Sequence, residues 1–213
     1  MSEERHSGFP LFPLGIVALP SEGVPLHIFE DRYKRMIEHC LQGAPGTLER
    51  SFGILWLSDE ELKGVGCSCE IEQVLERTED GRMNILVRGQ RPFLLRERQD
   101  SLPFPAGVIE FLQDDEPESE QEPAHHAREL YRELVRQATD REIAQDELDE
   151  MSAYRMAATV EFDTDAKQEL LELRSETERM RRLATLLESA IERIALLERA
   201  QARARSNGKV RFA

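Results

Sequence analysis

Between residues 9 and 36, "FPLFPLGIVALPSEGVPLHIFEDRYKRM", the apolar positions change their period. The proline-free window from Leu14 to Leu19 is uniformly apolar apart from Gly15 and is edged by Pro10, Pro13 and Pro20, which predicts a proline-bordered strand. "SEG" reads as a turn and "VPLHIF" as a second extended segment. From Phe29 the spacing becomes helical. Phe29, Tyr33, Met36, Ile37, Cys40 and Leu41 fall on one face, Glu30, Asp31, Lys34, Arg35 and Glu38 on the other, and Gly43 closes the helix.

The next stretch is rich in strand patterns. "SFGILWLS" (51–58) is a short apolar strand, and Val65, Cys67, Cys69 and Ile71 alternate with Gly66, Ser68, Glu70 and Glu72. Asp80-Gly81 predicts a hairpin turn, followed by strands in "RMNILVRG", "RPFLLRER" and "AGVIEFL". Short strands separated by turns favour a closed or nearly closed barrel, or a sandwich, over a parallel sheet. The early helix makes this half α+β.

Residues 113–123, "QDDEPESEQEP", hold six acids and no base, a composition that buries little apolar surface and predicts a linker. Beyond it the period is helical. Leu130, Leu134 and Ala138 mark one helix, "SAYRMAATV" another, and "DAKQELLEL" a third with Leu170, Leu171 and Leu173 inward. Ser175 and Glu178 form a capping box that opens a last helix running to about Arg205. Its stripe of Met180, Leu183, Leu187, Ala190, Ile194 and Leu197 is widened by Leu186 and Ile191, which favours packing on the protein's own helices over a dimer seam. The expected organisation is a barrel domain over residues 1–112, an acidic linker over 113–123 and a helical domain over 124–213.

Charge narrows the function classes. Twenty-eight Lys and Arg against 42 Asp and Glu leave a net charge of -14, which repels phosphate backbones and anionic lipid, so neither nucleic acid nor membrane is an expected partner. The acidic start and the prolines exclude a signal peptide, and the apolar windows are too short to span a bilayer. Cys40, Cys67 and Cys69 read as reduced thiols of a cytoplasmic protein.

Candidate chemistry is sparse. Cys67 and Cys69 lack a second cysteine pair, the adjacent His125 and His126 point in different directions on a helix, and His6, His27 and His39 form no recognisable triad. Cys40 lies on an apolar helix face, as a core residue would. No phosphate-binding glycine loop is present; "GVGCSC" lacks the third glycine and the helix. Glu30 and Arg32 are expected to form an ion pair that holds the first helix on the barrel. Arg199, Arg203, Arg205, Lys209 and Arg211 suit a helix C-terminus and its tail. No catalytic residue, metal ligand or cofactor is assigned.

Three blocks, "LFPLGIVALPSEGVPLHIFEDRYKRMIEHCL", "DGRMNILVRGQRPFLL" and "DAKQELLELRSETERMRRLATLL", resemble those of the Lon protease N-terminal domain, in the same order and over residues 9–197. "PLHIFEDRY" follows the family's P-L-x-I-F-E-x-R-Y, with His27 where many members have arginine; Pro92 departs from a common Arg-Phe pair. The signature positions are Pro13, Leu14, Phe29, Glu30, Arg32, Tyr33, Asp80, Gly81 and Gly89. The resemblance implies a PUA-like β-barrel with an inserted helix, then an α-helical bundle. It also implies recognition of substrate polypeptides and a contribution to oligomer assembly. With no ATPase or Ser-Lys peptidase sequence before residue 213, the expectation is a stand-alone, non-catalytic module that binds unfolded or exposed apolar segments and works with a protease partner. Monomer and weak dimer both remain open. The alternative is a PUA-like module for a small ligand or RNA, which the charge opposes; an enzyme whose groups meet only in space is a third reading.

Overall fold

A computed structural model describes residues 5–59, 61–115, 119–139 and 141–207, with the backbone alone at residues 198 and 201–207. Lys209, Arg211, the side chains of Arg203 and Arg205, and positions 116–118 of the acidic segment lie outside the described residues. The chain forms two compact units, Met1–Pro117 with Tyr154–Arg174, and Glu118–Ala153 with Ser175–Ala213. This differs from a single cut at the acidic segment: residues 154–174 group with the sheet.

The first unit contains six strands, β1 (Arg5–Leu14), β2 (Gly23–Ile28), β3 (Ser51–Ser58), β4 (Glu61–Arg77), β5 (Met83–Gln99) and β6 (Ala106–Phe111), with helix α1 (Asp31–Cys40) between β2 and β3. The sheet order is β2-β5-β4-β3-β1-β6, and β5 also pairs with β6. That pairing closes a ring of five strands and leaves β2 outside it, bonded only to β5. The architecture is α+β, as expected.

β5 serves both roles because it is one strand of 17 residues rather than the expected two. Its first half pairs with β2, its second half with β6, and β4 runs along most of it. Gly89 permits this. A Cβ there would collide with the Leu19 carbonyl oxygen, and the Gly89 N–H and C=O bond to Glu22 O and Ser21 N at 2.9 and 2.8 Å.

β1 also differs from expectation, ending at Leu14 where the apolar window begins. Its prolines are tolerated because Pro10 lies in the half that pairs with β6, and Pro13 in the half that pairs with β3. Leu11 N–H points to Pro105 O on the β6 side at 2.8 Å, so by alternation the Pro13 nitrogen faces away from β3 and the Pro10 nitrogen away from β6, and neither proline costs a ladder bond. The window itself is a loop whose second half is buried: Val17, Ala18 and Leu19 are covered while Ile16 is exposed, and Leu19 N–H donates to Glu22 Oε2 at 2.9 Å.

Phe9, Leu11, Leu55, Phe93 and Ile109 form a buried cluster inside the ring. Phe93 sits over Gly53 and Gly66, where any side chain would meet its ring. Tyr33, Met36, Ile37 and Cys40 are the buried face of α1. In the same unit α5 (Thr164–Glu172) packs on β4, capped by the Asp163 carboxylate accepting from Ala166 N–H at 2.8 Å. Gln168 Nε2 donates to Val65 O at 3.1 Å, and Lys167 pairs with Glu22.

The second unit is helical. α2 (Gln121–Thr139) packs on α6 (Glu176–Asn207), with the short α3 (Gln145–Asp149) against α2; α4 (Ala153–Ala157) lies where the units divide. α2 begins inside the expected linker because Pro123 stands in its first turn, where no helical N–H is lost, and Glu122 suits the helix dipole. Gln113 O accepts from Arg174 Nε at 2.8 Å, and Asp115 N–H bonds to Arg174 O at 2.9 Å. Ser175 Oγ accepts from Glu178 N–H at 3.4 Å, which is the expected cap. On α6, Met180, Leu183, Leu187 and Ala190 are buried, whereas Leu197 is exposed; on α2, Ala138 is exposed. Arg179 is fully buried and pairs with Glu176, whose other oxygen accepts from Ala153 N–H at 2.7 Å.

Candidate functional site

Closing the ring brings several strand ends together beside the start of α1. They border a groove of about 520 Å³. β1 supplies Pro13 and Leu14; the segment from β2 into α1 supplies Phe29, Glu30, Arg32 and Tyr33. Six of the nine signature positions therefore share one surface feature. Asp80, Gly81 and Gly89 do not line it.

Phe29 is the main departure from the sequence reading. It precedes the N-cap residue Glu30, so it is not on the helix, and 59% of it is exposed. Its ring stacks on His27, with centroids 5.8 Å apart and an interplanar angle of 24°. His27 is held in turn by a 2.6 Å hydrogen bond from Nδ1 to Asn84 Oδ1, and Asn84 Nδ2 donates to Glu76 Oε2 at 2.7 Å. An exposed aromatic ring is thus fixed in place before anything binds to it.

Tyr33 is buried beneath the groove, 4.1 Å from the Phe12 ring by centroid. Burial pushes its phenol pKa upward, against the neighbouring Arg32 guanidinium, which lies 4.6 Å from the ring centroid. Glu30 and Arg32 do pair, at 2.9 Å, but both side chains are about half exposed. Such a pair contributes little to stability, so the expected anchoring of α1 rests on its apolar face instead. A second link comes from Lys34, whose Nζ donates to Asp80 O at 3.1 Å. Gly81 occupies the left-handed region at φ 80°, as its turn requires, and the Asp80 carboxyl is held below its usual range by Thr78 and Arg82.

Six lining residues were not singled out from sequence, Phe12 and Ile28 beside the signature positions and four from later in the chain. Leu57 and Leu62 are partners across the end of the β3–β4 ladder, and Arg98 and Pro105 come from the end of β5 and the turn before β6. Their strands were legible, but their convergence depends on ring closure. Leu57 is 41% exposed and extends the apolar wall.

β2 adds a backbone feature. Gly89 N–H bonds to Glu22 O, and the unbroken register that follows makes Val24, Leu26 and Ile28 the hydrogen-bonded partners on β5. The backbone groups of Gly23, Pro25 and His27 then face the open edge. Pro25 has no N–H to leave unpaired there.

The cysteines offer no nucleophile. All three are buried and free, and burial pushes the Cys40 thiol up to about 12. Cys69 is raised as well, by its hydrogen bond with Cys67 and by burial. Among the described residues no three His, Cys, Asp or Glu side chains cluster as a metal site, and no helix is long and apolar enough to cross a membrane.

The family model of the ATP-dependent protease La (LON) substrate-binding domain matches residues 8–189. In structure the chain is similar to the Lon N-terminal domain protein from Xanthomonas campestris, with a TM-score of 0.64 and 24% identity over 84% of this chain and 98% of that one. It is also similar to the N-terminal domain of the Mycobacterium avium complex Lon protease, with a TM-score of 0.61 and 22% identity over 85% and 98% of the two chains. No curated protein is significantly similar to it.

Proposed function

The chain belongs to the Lon substrate-binding domain family, and on that footing we propose that its groove binds extended, apolar polypeptide segments without cleaving them. The observation that carries this reading is the pair of exposed apolar side chains, Phe29 and Leu57, on a groove bordered by the family's own signature positions. Phe29 is already stacked and ordered, so covering it forfeits little side-chain entropy. Burying the rest of its ring is worth about 1–2 kcal/mol.

The free edge of β2 leads toward the groove through His27 and Ile28, which line it. An extended client pairing there would gain backbone hydrogen bonds and direct alternate side chains to one side. Against this stands the cost of ordering a disordered segment, several kcal/mol, so dissociation constants of about micromolar order follow. The clients are unfolded or partly unfolded proteins, whose apolar segments are accessible. The module would present them to a protease partner, and its three free thiols suit a reducing compartment such as the cytoplasm.

Photo-crosslinking tests the location. A peptide of alternating leucine and serine, carrying a benzophenone at its centre, should label residues in 12–14, 27–33 or 57–62. Labelling confined to the helical unit would overturn the assignment of the groove.

A further inference from the structure

We propose that the groove selects segments carrying a carboxylate beside their apolar side chains, and that Arg98 is the residue that recognises it; the inference rests on the peptide-binding reading above. β5 carries four arginines. Arg88 is committed to Glu72, Arg91 lies over the Phe111 ring at 4.2 Å, and Arg96 pairs with Glu110 at 2.8 Å. Arg98 alone of the four has no hydrogen bond, ion pair or ring partner among the described residues. It also lines the groove, opposite Gly107 on β6, and its side chain is exposed.

The other charges on the groove wall cancel. Arg32 is paired with Glu30, which leaves Arg98 as the uncompensated charge beside Phe29 and Leu57. This positive spot sits on a chain whose net charge is -14. A wholly apolar client would cover Arg98 and pay for its desolvation, whereas a client carboxylate placed there would form a charge-assisted, two-pronged pair. The general repulsion between the acidic protein and an acidic client is screened over about 8 Å at physiological salt, so the contact dominates. Lysine at the same client position would meet like charge and bind worse.

The experiment uses three fluorescein-labelled decapeptides of alternating leucine and serine with a central phenylalanine, differing only in an aspartate, asparagine or lysine two residues from it. Anisotropy titrations at 150 mM salt should rank aspartate above asparagine by about three- to fivefold, with lysine weakest. In Arg98→Gln the aspartate and asparagine peptides should bind equally, and Arg98→Lys should restore part of the preference. The Arg98 side chain is exposed, so both variants should fold, which circular dichroism checks. If the peptides bind but aspartate has no advantage, or keeps it in Arg98→Gln, the inference is overturned and the peptide-binding reading stands. If none of the three binds, both fall.

Discussion

The Phe29 ring stacks on His27 at the end of β2, 5.8 Å away by centroid, in the position that helical spacing had assigned to the first turn of α1. The consequence is an aromatic side chain directed to solvent and fixed by its neighbour. It separates two properties that one residue often combines, because Phe29 is ordered and exposed yet contributes little to the core.

Replacing it should therefore split the two readouts. Phe29→Ser should leave stability within about 0.5 kcal/mol of wild type, as an exposed substitution does. Affinity for an apolar peptide should fall about five- to thirtyfold, the loss expected from the buried ring. Chemical denaturation and anisotropy measure the two quantities, and a large loss of stability would return Phe29 to the core.

Gly89→Ala should behave in the opposite way. Its Cβ would meet the Leu19 backbone, which has no flexible end to move aside. A loss of about 2–3 kcal/mol is expected from overpacking, read as a lower urea midpoint at unchanged slope.

Glu30→Gln tests the ion pair. Because both partners are about half exposed, stability should change by less than about 1 kcal/mol at 150 mM salt. A drop of several kcal/mol would show that the pair holds α1 on the sheet after all.

The Cys40 thiol gives a pH prediction. Its folded pKa, about 12, lies above the ordinary 9.0, so folding favours the protonated thiol. That stability is fully present below pH 9 and is lost as pH rises from 9 toward 12, by at most about 4 kcal/mol. Between pH 8 and pH 10.5 the Cys40→Ala variant should lose about 2 kcal/mol less than wild type in urea titrations. Equal losses would mean that the thiol ionises freely in the folded protein.

Legibility in the sequence followed how local each constraint was. The strand at 51–58 and the cap at Ser175 were readable because a few adjacent residues decide them. The single long β5 was not, since Gly89 and Pro92 look like punctuation until the approach of Leu19 explains the glycine. Val17 to Leu19 read as a strand because burial and strand formation select the same residues. The docking of α5 on β4 was hidden for a related reason: Leu170 and Leu171 mark a buried helix face without saying whether a sheet or a helix covers it. The signature positions at the groove were named from the resemblance, but Leu57 and Arg98 join them only through ring closure, which no local pattern encodes.

The function proposed for this chain is the binding of unfolded polypeptide. The most direct measurement is calorimetric titration with one model protein in its unfolded and native forms, and with a short structured RNA, at two salt concentrations. The unfolded chain should bind with a dissociation constant of about micromolar order, weak salt dependence and a negative heat-capacity change, while the native form and the RNA do not. Equal or absent binding of the two protein forms, with tight, salt-sensitive binding of the RNA, would contradict the account.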